Sequence, residues 1–431
     1  MAAEVFPRRQ TIAQRQSQQL GALLRAILPA NRFYTAKFAA AGTPGKVSHL
    51  GDYCDSFPFT TKPELVADQE AAAPYGTNLT YPLERYTRCH QTSGTHGAPL
   101  RWLDTPESWD WMLGSWHTIL RAGGVTPADR IFFAFNFGPF LGFWLAFEAA
   151  QRLGCRCLAG GGMSSVARLR AILEQGASVV CSTPTYALHL AEVAADQQID
   201  LSGSPVKRFI VAGEPGGSIP GTRARLESLW PGARVFDHHG MTETGPVTYE
   251  CPVRPGVLHV LESAYLAEIV DPSTGAQVQA GETGELVLTN FGRTGSPLLR
   301  YRTGDLVRGC PDSICACGRS ELALEGGILG RLDDMIVVRG VNVYPSAVEQ
   351  ILRTHGGVAE YQAEVSTAST LARLSLRVEP FPEVADAAGL ARELESALQT
   401  AFNLRVPVTV APPGSLPRYE MKARRWLRAG S

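Results

Sequence analysis

SVVCSTPTYALHLAEVAADQQ, residues 178–198, places a short run rich in β-branched residues directly before a stretch with helical apolar spacing. The first six residues predict a buried strand and residues 186–198 a helix. The same alternation continues on both sides. Downstream come KRFIVAGEP (207–215, strand), RARLESLW (223–230, helix) and ARVFDHHG (233–240, strand). Upstream come RIFFAFNFG (130–138, strand), FLGFWLAFEAAQRLG (140–154, helix) and SSVARLRAILEQG (164–176, helix). Strands alternating with helices predict a parallel sheet covered by helices.

Further out the pattern changes. Residues 15–28 carry Leu20, Leu23, Leu24, Ile27 and Leu28 at helical spacing, whereas 30–90 reads as irregular and turn-rich. After 255 the chain turns strand-rich, with HVLESAYLAEIVD (259–271) and GELVLTNF (284–291) around the turn DPSTG. From 335 a second pattern starts. MIVVRGVNVY reads as strand, PSAVEQILRTH as a helix opened by Pro345, YQAEVST and RLSLRVEP as paired strands, LARELESALQTAF as a helix and VPVTVAP as a last strand. The expected fold class is α/β. A large N-terminal domain (1–331) holds parallel sheet and a β-rich lobe, and a small α+β domain (333–431) follows.

The 431 residues exceed what one core organises. With 45% apolar and 19% charged residues and a net charge of −1, bulk electrostatics give no reason to expect nucleic-acid or membrane binding. No apolar run is long enough to span a membrane, and MAAEVFPRRQTIAQRQSQQL holds no apolar signal core. A cytoplasmic location is expected, so the nine cysteines are read as thiols and not as a disulfide framework.

Five segments carry chemistry in combination. TSGTHGAPL (92–100) offers hydroxyls and close backbone amides to phosphate, through Thr92, Ser93, Gly94 and Thr95, but has Ala98 and no lysine. VAGEPGGS (211–218) turns sharply after a strand. DHHGMTETG (237–245) offers Glu243 to magnesium and Thr242 to phosphate. LLRYRTGDL (298–306) offers Asp305 to a ribose hydroxyl, and GRLDDMIVVRGVNVYP (330–345) marks the domain boundary. Each alone is equally a glycine turn between strands. CPVRPGVLH (251–259) and GCPDSICACGR (309–319) hold soft ligands: Cys251, His259, Cys315 and Cys317 satisfy a closed tetrahedral zinc site with Cys310 spare, and unpaired core thiols are the alternative. FAFNFGPFLGFW is aromatic. Phe135, Asn136, Phe137 and Phe140 form either a flat acid-binding slot, floored by Ala212, Gly213, His239 and Gly240, or plain core.

In this order the segments resemble the adenylate-forming enzymes, which include acyl- and aryl-CoA ligases, luciferases and adenylation domains. The phenylacetate-CoA ligase branch matches best, through VAGEP, RYRTGDL, and CACGR before GRLDDMIVVRGVNVYP. The resemblance implies ATP-dependent activation of an aryl acid to acyl-AMP, with magnesium, and then transfer to coenzyme A. It implies ATP contacts at Gly213, Glu214, Pro215, Asp237, His238, Gly240, Met241, Thr242, Asp305 and Arg331. It makes Thr242, Glu243 and Lys422 catalytic, Asp333 a hinge in a mobile small domain, and Gly340 part of a loop used in thioester formation. Members of this branch hold structural zinc at the cysteine cluster. PRYEMKARRW (417–426) would otherwise be a solvated basic tail. Transfer to a carrier-protein arm, a non-catalytic nucleotide sensor and a homodimer stay open.

Overall fold

The computed structural model describes residues 6–43, 47, 49–92, 99–339, 341–366, 373–419 and 423–429. Two compact units emerge: residues 1–162 with 236–327, and residues 163–235 with 328–431.

In the first unit the helix Arg9–Ile27 buries Ile12, Leu20, Leu23 and Ile27 along one face. Its polar face is also anchored: Arg9 donates to Glu262, and Gln16 donates to the Tyr265 carbonyl at 2.9 Å. The stretch expected to be irregular holds three helices, Arg32–Ala40, Leu50–Ser56 and Lys62–Ala71. They are short and their N-caps lie in the turn-rich composition that hid them. Thr61 and Glu64 form a reciprocal capping box at the start of the last one. The helices Pro106–Ala122 and Leu141–Leu153 pack on each other beside the parallel strands Arg130–Phe133 and Arg156–Ala159.

The β-rich lobe differs from expectation at one place. HVLESAYLAEIVD is not one strand. Val257–Val260 joins Thr248–Glu250 and Ala323–Glu325, while Tyr265–Val270 joins Thr283–Asn290 and Tyr301–Arg308. The break falls at Glu262, whose buried carboxylate accepts from Arg9, Gln16 and the Leu322 amide. Burying that charge among three donors outweighs continuing the ladder.

In the second unit Val179–Ser182 pairs in parallel with Arg208–Val211, as expected. Ile336–Val338 pairs antiparallel with Val341–Val343, where one strand was expected. Arg339, at φ 50°, supplies the left-handed turn residue. A four-stranded sheet runs Val408–Val410, Arg373–Pro380, Val358–Ser366, Trp426–Ala429, and its last strand was not foreseen. Helices Pro345–His355 and Ala387–Phe402 cover it, with Val348, Leu352, Leu394 and Leu398 in the core. Gly221, in the helix Pro220–Leu229, permits a close approach: a Cβ there would lie 2.1 Å from the Arg353 carbonyl oxygen.

Candidate active site and metal centre

The segment 237–246 follows the strand Arg234–Asp237 and is held backbone atom by backbone atom. The Asp237 amide donates to Glu250 Oε2 at 3.2 Å, and Glu250 Oε1 accepts from Gly256 at 2.6 Å. The His239 amide donates to Thr248 Oγ1 at 2.8 Å. Gly240–Met241 then pairs with Gly245–Pro246, making Thr242 and Glu243 the tip of a tight hairpin. Gly240 is required by packing, since a Cβ would lie 2.8 Å from the Gly245 carbonyl oxygen.

The tip is fixed by a residue the sequence did not single out. Arg293 is fully buried and donates to the carbonyls of Thr242 (2.7 Å) and Glu243 (2.9 Å). Its other two nitrogens bind both oxygens of buried Asp104 at 2.7 Å. A bidentate pair with all three nitrogens hydrogen-bonded is the form in which a buried charge is tolerated. The Glu243 side chain is buried and its Oε1 lies 3.2 Å from Lys62 Nζ. One carboxylate at a rigid tip, with Thr242 beside it, is the donor set a phosphate-bridged magnesium uses, so the residues fit that ion.

Asp305 is placed by a bulge. The ladder jumps from Glu285↔Leu306 to Val287↔Arg302, so Thr303, Gly304 and Asp305 face Leu286 alone. Gly304 sits at φ 76° and its amide donates to Glu285 Oε1 at 3.0 Å. The two extra residues re-aim the strand, as bulges do near functional sites. Asp305 is buried, and its Oδ2 lies 3.1 Å from His239 Nε2. The two residues expected at the ribose and at the acid pocket therefore meet. His238 points elsewhere, edge-on to Trp116 at 4.6 Å. Burial, aided by the charge of His239, pushes its pKa down to about 3, so its imidazole is neutral.

Of the phosphate loop, Thr92 is described. It is buried, and its Oγ1 accepts from the Leu100 amide at 3.0 Å, closing the base of the loop. Ser93, Gly94 and Thr95 lie outside the described residues, as do Gly340 and Lys422. The aromatic residues pack on one another. Phe135 stacks on Phe143 at 4.1 Å, Phe137 lies against Trp144 at 4.9 Å, and Phe140 meets Phe143 edge-on at 6.0 Å. Asn136 is exposed and accepts from the Gly162 amide at 2.8 Å.

In the second unit Gly213 adopts φ 94° and is exposed with Pro215. The Ala212 amide continues the strand pairing, donating to Ser182 at 3.3 Å. The Glu214 carboxylate is occupied by two backbone amides, those of Thr185 (2.9 Å) and Ala423 (3.0 Å). Arg331 and Asp333 pair across one residue, at 2.8 and 3.1 Å.

Cys251, His259, Cys315 and Cys317 converge, with ligand atoms all within 4.8 Å of one another. Cys251 and Cys315 sulfurs are 3.7 Å apart, and Cys317 Sγ lies 3.4 Å from His259 Nε2. Zinc–sulfur bonds of about 2.3 Å at tetrahedral angles separate two sulfurs by roughly 3.7 Å, so the set fits zinc with no fifth place. Burial pushes the His259 pKa down to about 4, which leaves the imidazole neutral as a ligand must be. Its ring stacks on Tyr249 at 5.5 Å. Cys310 stays outside the set, with Arg254 Nη1 3.8 Å from its sulfur.

Comparison with known proteins matches two segments of the chain. Residues 91–292 match the AMP-binding enzyme family, and residues 340–428 match the AMP-binding enzyme C-terminal domain. Phenylacetate-coenzyme A ligase of Escherichia coli (strain K12) is 31% identical over 425 residues, spanning 95% of this chain and 93% of the relative. A crystal structure of 2-hydroxyisobutyryl-CoA ligase in the postadenylation state, in complex with 2-HIB-AMP, matches with TM-score 0.90 and 29% identity, over 98% of this chain and 89% of that one. The same ligase with 2-HIB-AMP and CoA in the thioesterification state matches with TM-score 0.74 and 29% identity, over 99% and 91%. With both domains of the family matched and 31% identity to such a ligase over nearly the full length, the chain belongs to the AMP-binding, adenylate-forming enzymes as an acid–thiol ligase of the phenylacetate-CoA ligase branch.

Proposed function

We propose that the acid activated by this ligase is an aryl acid of the benzoate, anthranilate or phenylacetate kind, and that coenzyme A takes the acyl group. The observation that carries this reading is the aromatic cluster of Phe133, Phe135, Phe137, Phe140 and Phe143, which follows the strand Arg130–Phe133. Rings packed face to edge leave flat apolar surfaces suited to another ring. The similarity to phenylacetate-CoA ligases supports it.

In the first step a carboxylate oxygen attacks the α-phosphorus and the bond to diphosphate breaks. In the second, the thiolate sulfur attacks the acyl carbon of the mixed anhydride and AMP leaves. The substrates bring their own nucleophiles, so the protein positions them and stabilises charge. Asp305 accepts from the ribose, Thr92, Ser93, Gly94 and Thr95 bind phosphate, and Glu243 with Thr242 holds magnesium, which neutralises phosphate charge when bound. Lys422 supplies the point cation for the first step. Residues 1–331 and 333–431 act as two domains, and Asp333 is the hinge between a pose for each step, with the loop at Gly340 serving the second. The zinc set is structural and joins the strand Val257–Val260 to the loop 310–319.

The test is exchange of labelled diphosphate into ATP, driven by benzoate, anthranilate, phenylacetate, 2-hydroxyisobutyrate and octanoate in turn. Fastest exchange with an aromatic acid is expected. Faster exchange with either aliphatic acid overturns the aryl reading and leaves the ligase.

A further inference from the structure

The residues on either side of Lys422 are tied down at several points. Before it, Arg418 donates to Glu192 at 2.9 Å and to both oxygens of Glu379 at 2.6 and 3.1 Å. After it, buried Arg425 donates to Glu360 at 2.5 and 3.0 Å and to Thr185 Oγ1 at 3.3 Å. Another is the Ala423 amide on Glu214 Oε2. It lies next to the lysine itself. Arg418 is held at the end of a long side chain, and the carbonyls of Arg424 and Arg425 accept from the Tyr419 hydroxyl and the Ala363 amide, each at 2.8 Å, whereas the nitrogen of Ala423 belongs to the peptide bond that follows Lys422.

Glu214 is itself oriented. Its Oε1 accepts from Thr185, in the first turn of the helix Pro184–Asp196, where amides have no partner within the helix. Two oxygens each take one amide, and a carboxylate is the group that can do both. Hydrogen bonds from amides to a charged acceptor are stronger and better directed than neutral ones.

We propose that Glu214 is a positioning residue for acyl-AMP formation: it grips the amide of Ala423, the residue bonded to Lys422 in the chain. This rests on the role given to Lys422 above. Glu214 acts through the lysine and not on the nucleotide, and the second half-reaction does not use the bond.

The test combines hydrogen exchange with a double-mutant cycle. In Glu214→Gln the side-chain shape is kept, but one oxygen becomes an amide group that cannot accept. Exchange in the peptide 416–426 is expected to quicken at least tenfold, with the melting temperature unchanged. With phenylacetate and 2-hydroxyisobutyrate as probe acids, kcat for diphosphate exchange is expected to fall about tenfold or more at an unchanged KM for ATP. Thioester formation from supplied acyl-AMP stays within twofold. Glu214→Asp, which withdraws the carboxylate by one methylene, repeats the loss. The double variant Glu214→Gln/Lys422→Ala is expected to be as slow as Lys422→Ala alone. Additive losses, or a raised KM for ATP at constant kcat, overturn the proposal while leaving Lys422 in place. If Lys422→Ala adenylates at the wild-type rate, the lysine assignment falls first and takes this proposal with it.

Discussion

The ammonium of Lys62 stands 3.2 Å from Oε1 of Glu243. Lys62 opens the helix Lys62–Ala71, and Glu243 sits at the hairpin tip held by Arg293. The lysine side chain is 45% exposed and the glutamate 8%, so the lysine can leave and the carboxylate cannot. A cation arriving at Glu243 therefore competes with Lys62. In Lys62→Met the magnesium concentration for half-maximal diphosphate exchange is expected to fall about two- to tenfold, roughly 1 kcal/mol of competition removed. An unchanged or higher magnesium requirement would show that the pair does not restrain the site.

Asp104 and Arg293 set the stability of the same hairpin. Removing one partner of a buried, doubly bonded pair leaves a charge without compensation and costs about 3 to 5 kcal/mol. Asp104→Ala is expected to lose that much in denaturant unfolding, with diphosphate exchange reduced because the Thr242–Glu243 tip loosens. A loss below about 1 kcal/mol would mean that the guanidinium finds other partners.

His238 makes stability depend on pH. Its folded pKa of about 3 lies below the unfolded value near 6.5. The unfolded state therefore binds the proton first as pH falls. The contribution is complete above about pH 6.5 and is lost on acidification towards pH 3. At pH 5 the loss is roughly 2 kcal/mol. His238→Phe, which keeps a ring against Trp116, should flatten the decline between pH 6.5 and 5. Urea midpoints across that range measure it, and parallel curves for both proteins would remove His238 as the cause.

For the cysteine set, chelator-washed protein is expected to retain about one zinc per chain. Cys315→Ser is expected to lose the metal and to lower the melting temperature by several degrees. Metal analysis and calorimetry read both. Unchanged values in Cys315→Ser would make the four residues ordinary buried groups.

Much of this architecture was legible in the sequence, and the limits have physical reasons. The alternation from 130 to 240 fixed the strands Val179–Ser182 and Arg208–Val211, because period and composition both change at each boundary. The convergence of Cys251, His259, Cys315 and Cys317 was legible because the four lie in two short segments. The helices between 32 and 71 were missed although Thr61 and Glu64 spell a capping box, since each is only 7 to 10 residues long. The split at Glu262 depends on Arg9, some 250 residues away, and local pattern cannot show it. Arg293 and Lys62 look like any surface cation in the sequence. Only the fold brings them to Asp104 and Glu243.

The central claim is that this ligase joins an aryl acid to coenzyme A through an acyl-adenylate. Mass spectrometry of one reaction tests it most directly. Purified enzyme is incubated with ATP, magnesium, coenzyme A and equal amounts of benzoate, anthranilate, phenylacetate and 2-hydroxyisobutyrate. The predicted result is an aryl-CoA thioester as the main acyl product, with one AMP formed for each thioester and none without ATP. A mixture in which 2-hydroxyisobutyryl-CoA predominates, or in which AMP accumulates without any thioester, would contradict it.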